Sequence, residues 1–120
     1  MDNLQFMIAQ GSTPRIELAL PFEADGDTDV VYVTFNQDDK NVLEYSMNGT
    51  ATAAIAGAGT LAVSDEDDSV LVLTMTQADT LRLTPDDVEL QVRIKTDAGA
   101  DTFFPLVGAV VKSYKTGVIA

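Results

Sequence analysis

TQADTLRLTPDDVELQVRIK, residues 76–95, holds two kinds of secondary structure in one short run. From Val88 onward the pattern alternates without a break. Val88, Leu90, Val92 and Ile94 fall on one face, and Glu89, Gln91, Arg93 and Lys95 on the other. A period of two with one apolar and one charged face predicts an antiparallel strand with one solvated side. The first half reads differently. Thr76 stands three residues before Asp79, the spacing of a capping box with Asp in place of Glu or Gln. Leu81 and Leu83 follow and turn inward, and Pro85 disfavours helix at Thr84. One helical turn near 77–82 is all that fits before a Pro85-Asp86-Asp87 turn and the strand.

A strong apolar strand, VLVLTM (70–75), leads into this turn. The connection is too short for a βαβ crossover. It suits a chain that leaves one sheet of a sandwich and enters the other, as the E-to-F connection of an immunoglobulin-like sandwich does.

The rest of the chain agrees. LQFMIAQ (4–10) reads as a first strand, broken by Gly11-Ser12-Thr13-Pro14; RIELAL (15–20) alternates Ile16, Leu18 and Leu20 against Arg15, Glu17 and Ala19. A strand, a Pro-bearing kink and more strand suggest an edge strand that switches partners. After the loop 21–29, DVVYVTF (29–35) is β-forming on both faces, as in a central strand. NQDDKN (36–41) is a turn, and VLEYSM (42–47) sets Leu43, Tyr45 and Met47 on an apolar face. Residues 48–59, NGTATAAIAGAG, are a small-residue strand or loop at the sheet edge. TLAV (60–63) is a short strand and SDEDDS (64–69) a turn. TDAGAD (96–101) is a hairpin loop. TFFPLVGAVVK (102–112) is the last strand, with Pro105 and Gly108 marking a bulge or partner switch at an edge. The expected fold is an all-β, immunoglobulin-like antiparallel β-sandwich of seven to nine short strands, with one domain over 1–112 and a C-terminal tail over 113–120.

Composition narrows the function. The 120 residues fit one domain, and a 46% hydrophobic content marks a globular chain. There is no Cys, so neither disulfides nor thiolate metal sites are available. There is no His, which removes Ser-His-Asp and Cys-His triads, imidazole ligands and the usual acid/base group near neutral pH. Net charge is −12, from 19 acids and 7 bases, which repels nucleic acid and anionic membranes at long range. MDNLQFMIAQ lacks the basic start and apolar core of a signal peptide, and no apolar run approaches the ~20 residues needed to span a bilayer. The expectation is a cytoplasmic chain or one carried out by assembly into a particle.

Few constellations carry chemistry. Asp25, Asp27 and Asp29 alternate as calcium-binding loops do, but the Gly falls directly after the first Asp and no Glu stands at the twelfth place, so a solvated turn is the simpler reading. Asp65, Glu66, Asp67 and Asp68 form a second acidic turn, and the two could share a cation only if they meet at one end of the sandwich. No carboxylate pair stands out as a hydrolase's. A sugar platform would rest on Tyr32, Tyr45 and Tyr114, whose contexts suit core or rim. GAG (57–59) lacks the rest of a phosphate loop, and Asn48-Gly49-Thr50 matches a glycosylation sequon by pattern alone. The tail places Tyr114, Val118 and Ile119 beyond the last strand, either folded back on the sandwich or docked on a neighbour by strand addition. With Leu4 and Phe6 of the first strand they are the candidate contact residues.

Residues 76–119 resemble a group of short proteins encoded among the late structural genes of bacteriophages and prophages of gut-type Firmicutes. The features are "T-Q-x-D-T-L-x-L", a Pro turn, "V-x-L-Q-V-R", a glycine hairpin, an apolar strand and a tail ending near "G-V-I". "G-x-T-P-x-I-x-L-x-L" from Gly11 to Leu20 and "V-Y-V-T-F" from Val31 to Phe35 extend the likeness over nearly the whole chain; the Ala/Gly stretch 51–59 departs from it. The resemblance implies an immunoglobulin-like virion module, similar to the N-terminal domains of baseplate and tail-fibre proteins. It implies no catalytic residue and no cofactor, contact with other virion proteins and with copies of itself, no nucleic-acid or membrane partner, and residence in the virion after synthesis in the host cytoplasm. The competing expectation is a cation-dependent, carbohydrate-binding or cell-surface-binding sandwich, with calcium as its cofactor.

Overall fold

The computed structural model describes residues 4–103 and 105–119. Nine strands and one short helix follow in the order β1 (Phe6–Ala9), β2 (Arg15–Ala19), β3 (Val30–Gln37), β4 (Lys40–Met47), β5 (Thr60–Val63), β6 (Val70–Thr74), α1 (Gln77–Thr80), β7 (Asp87–Thr96), β8 (Gly99–Thr102) and β9 (Leu106–Val111). They form two sheets. One runs β1-β9-β7-β3-β4, with β8 also on β7, and the other runs β2-β6-β5.

This is the immunoglobulin-like arrangement. β3 and β7 pair at the centre of one sheet, β2 and β6 pair in the other, and the chain crosses between sheets through α1. The alternation of 88–95 appears as drawn: Val88, Leu90, Val92 and Ile94 are all buried. They meet Phe35, Leu43, Leu71, Leu73 and Met75 in a shared core. Thr76 caps α1, its side chain accepting from the Asp79 N–H at 3.1 Å.

Several expectations need correction. The sandwich is not wholly antiparallel, because β1 lies parallel to β9. The last strand is two pieces: β8 pairs with Arg93–Thr96 and β9 with Asp87–Leu90, along the same side of β7. β9 is also not an edge. It lies between β1 and β7, and Gly108 makes this possible, since a Cβ there would meet the Phe6 ring at 2.4 Å. The β3–β4 turn is tighter than six residues. Asp38 and Asp39 alone make it, both at positive φ (55° and 60°), the conformation whose twist matches a hairpin. The kink at Gly11–Pro14 does switch partners: β1 belongs to one sheet and β2 to the other.

Candidate functional site

The acidic loops come together. Asp25, Asp29, Asp65 and Asp68, with Glu23, line a shallow cleft of about 620 Å³, and the Ala24 N–H donates to the Asp68 carbonyl at 2.8 Å. Their carboxylates serve the local backbone. Asp29 Oδ2 accepts from the Asp25 N–H and Asp25 Oδ1 from the Asp27 N–H, both at 2.8 Å. Asp67 Oδ1 accepts from the hydroxyl and the N–H of Ser69, bonds that hold its carboxyl below the usual range. Among the described residues no three acidic side chains are gathered so as to hold a metal ion. Asn48 is occupied too, its amide donating to the carbonyls of Gly26 and Asp29, both at 2.9 Å.

The tyrosines form no platform. Tyr45 pairs across the sheet with Val33 and Tyr32 with Ser46, so their rings leave on opposite faces. Tyr45 is in the core, edge-on to Phe35 at 6.1 Å, and Tyr114 is 94% exposed.

Tyr45 belongs to a polar node that the sequence did not disclose. Its hydroxyl donates to Asp79 Oδ2 at 2.7 Å, and Asp79 also accepts the N–H groups of Ala58 and Gly59, each at 2.9 Å. Asp79 is 2% exposed. Burial opposes its ionisation, but the bonds from Ala58, Tyr45, Gly59 and the Thr76 N–H outweigh burial and hold its carboxyl below the ordinary value. The Tyr45 hydroxyl moves far up, first by burial, then by its bond to Asp79 and that group's charge; Arg82 opposes. Around the node, Arg82 donates to the carbonyls of Ala54 and Ala56, and Glu44 Oε1 accepts the Thr52 N–H. The stretch 48–59 is thus an irregular cover on the outer side of β4, with a single bridge between Glu44 and Ala56. This node ties the 48–59 segment and α1 to β4.

The opposite edge of the same sheet is different. β1 pairs with β9, and no strand among the described residues pairs with its other side. Among the described residues, the large hydrophobic side chains that stand exposed all belong to this edge or to the tail: Leu4, Met7, Val111, Tyr114, Val118 and Ile119. Met7 is 65% exposed and is followed on the outer face by Ala9, opposite Val111. Charge follows the same division, because residues 3–16 and 102–120 contain no Asp or Glu, and only Arg15, Lys112 and Lys115 as bases.

Of the candidate contact residues, Leu4, Tyr114, Val118 and Ile119 are exposed. Phe6 is turned inward and packs edge-on to Phe35 at 6.4 Å, so Met7 is the β1 side chain that the edge presents. Parity carries this signal, since Phe6 shares its face with Ile8 and Met7 does not. The tail does fold back, though by its backbone. The Gln77 side chain donates to the Ile119 carbonyl at 3.1 Å and accepts its N–H at 2.8 Å, while the Ile119 side chain stays 63% exposed.

No protein-family model and no curated protein sequence matches the chain. Fold and surface together define an immunoglobulin-like sandwich with one apolar edge that is free of acid among the described residues. No helix among the described residues is long and apolar enough to cross a membrane.

Proposed function

We propose that this chain is a non-enzymatic structural subunit of a bacteriophage virion, a component of the tail, baseplate or capsid surface that works through protein–protein contact. The observation that carries the assembly part is the exposed apolar edge of β1 with the neighbouring tail, free of acid in a chain of net charge −12. Apolar side chains grouped at an unpaired strand are what an interaction surface offers, and scattered ones are not. The likeness of residues 76–119 to late structural proteins of phages supports the virion setting. Purified particles of the encoding phage or prophage should contain the chain in stoichiometric amount by quantitative mass spectrometry. Recovery only from the soluble fraction of the host overturns the reading.

A second reading, a cation-dependent or carbohydrate-binding or cell-surface-binding module, has one observation in its favour: the two acidic loops share a cleft. It requires calcium in the millimolar range to raise the unfolding midpoint by mass action on the native state.

A further inference from the structure

The edges of the two sheets are unequally protected. On β4, residues 48–59 cover the outer side: the Glu44 N–H donates to the Ile55 carbonyl at 2.8 Å and the Glu44 carbonyl accepts the Gly57 N–H at 2.9 Å. β2 begins directly after Pro14 and carries an Arg15–Glu17 ion pair at 2.6 Å. β5 is four residues long and runs into Asp65, and β8 is four exposed residues that include Asp101. Short length, charge and proline are the usual means of keeping an edge from pairing. β1 has short length alone; residues 4–10, LQFMIAQ, contain no charge and no proline, and Leu4 and Met7 are exposed there.

We infer that β1 pairs antiparallel with β1 of a second copy of this chain, about a two-fold axis through Met7, so that the six-stranded sheets of two sandwiches become continuous. This deepens the assembly reading and rests on it. Three observations select a second copy as the occupant. First, the backbone faces the right way. The parallel ladder to β9 closes at the Gln10 N–H, which donates to the Val111 carbonyl at 2.9 Å, and strand backbone groups alternate sides. Phe6 and Ile8 therefore turn their N–H and C=O groups toward β9, and Met7 and Ala9 direct theirs toward the open side.

Second, the segment is complementary to itself. With Met7 on the axis, Phe6 lies opposite Ile8 of the other copy. That pair is the non-hydrogen-bonded kind, and its side chains stay on the inner face. Met7 then lies opposite Met7 as the pair that exchanges both backbone hydrogen bonds, with its side chains on the outer face. A two-fold contact requires each residue and its opposite to be mutually acceptable, and this register brings no charge against charge. Third, two bodies each of charge −12 repel, so contact is least unfavourable where acid is absent, and residues 3–16 and 102–120 are that place.

The test uses the full chain and exploits the symmetry. Molar mass by light scattering across a dilution series should give a dimer for the wild type. Met7→Lys and Met7→Glu each place like charges opposite one another and should weaken the dimer roughly 100-fold or more. Mixed in equal amounts they place Lys opposite Glu, and the dimer should return as the mixed species. Circular dichroism of each variant checks that the fold is intact, as expected for a side chain 65% exposed. A wild type that remains monomeric up to roughly 1 mM overturns the inference, as does a dimer indifferent to both charges. An oligomer that survives both charges and is lost when Tyr114, Val118 and Ile119 become Ser also overturns β1 pairing, yet it leaves the assembly reading standing. The composition of purified particles judges that reading separately.

Discussion

The two edges of the six-stranded sheet solve the same physical problem in opposite ways. At β4 the chain folds its own irregular segment over the edge and fixes it with the buried Asp79 and Tyr45 and the half-buried Glu44. At β1 it leaves the edge bare and sets apolar side chains beside it. Irregular cover needs long-range hydrogen bonds, because backbone groups without ladder partners must be satisfied elsewhere. The bare edge needs none, provided that another chain supplies the ladder. Disrupting the β4 side should therefore cost folding stability, and disrupting the β1 side should change association or local motion.

The largest effect should come from Asp79→Ala. It leaves the Tyr45 hydroxyl without its acceptor in the core and frees the N–H groups of Ala58 and Gly59. We expect a loss of about 4 kcal/mol in urea unfolding, since each orphaned group costs about 1–3 kcal/mol. Asp79→Asn keeps the shape and isolates the charge. The folded carboxyl lies below its ordinary value. Its contribution is therefore fully present above the unfolded value, about 3.9. It is lost as pH falls from there through the lower folded value. The stability gap between wild type and Asp79→Asn should be constant above about pH 5 and should shrink on acidification below about pH 4. A gap that widens in acid contradicts this assignment.

Gly59→Ala comes next. A Cβ at this position would lie 2.0 Å from the Thr74 carbonyl oxygen, a backbone atom that cannot swing aside. The cover would have to lift from β6, at about 2–3 kcal/mol. Unfolding midpoints of the variant and of Gly59→Ala combined with Asp79→Ala should be less than additive, because both release the same segment. Thr76→Ala removes the cap of α1 and should cost about 1 kcal/mol, without altering the β4 edge itself.

Much of this frame was legible in the sequence. The alternation at 88–95 and the apolar positions of 42–47 and 70–75 depend on nearest neighbours along a strand, and strict period-two patterns admit one answer. The helical turn was legible for the same reason, since Thr76 and Asp79 meet within one turn. The cover at 48–59 was not. Its path is decided by Glu44, Asp79 and Arg82, up to 28 residues away in sequence. Ala, Gly and Thr supply no period of their own. Asp79 itself was read only as a local cap partner, and the core took its oxygens. At the β1 edge the sequence leaves the tail either folded back or docked, and of the contact candidates on the first strand Leu4 is exposed whereas Phe6 faces the core. Its parity with Ile8 turns it inward, and Gly108 leaves room for its ring.

The smallest effect should be Gln77→Ala, and it bears on the bare side of the molecule. Gln77 acts toward Ile119 as a strand backbone would, donating to its carbonyl and accepting its N–H. Both bonds are exposed, so water replaces them on loss. Global stability should change by less than about 0.5 kcal/mol. The local consequence should still be measurable: the Ile119 amide, bonded in the wild type, should lose hydrogen-exchange protection while the amides of β7 keep theirs. If β1 pairing carries association, the molar mass of Gln77→Ala should equal that of the wild type at every dilution. If the tail carries it, releasing Ile119 should change the molar mass even though the fold is untouched. The contrast between the edges thus turns on a residue that belongs to neither strand.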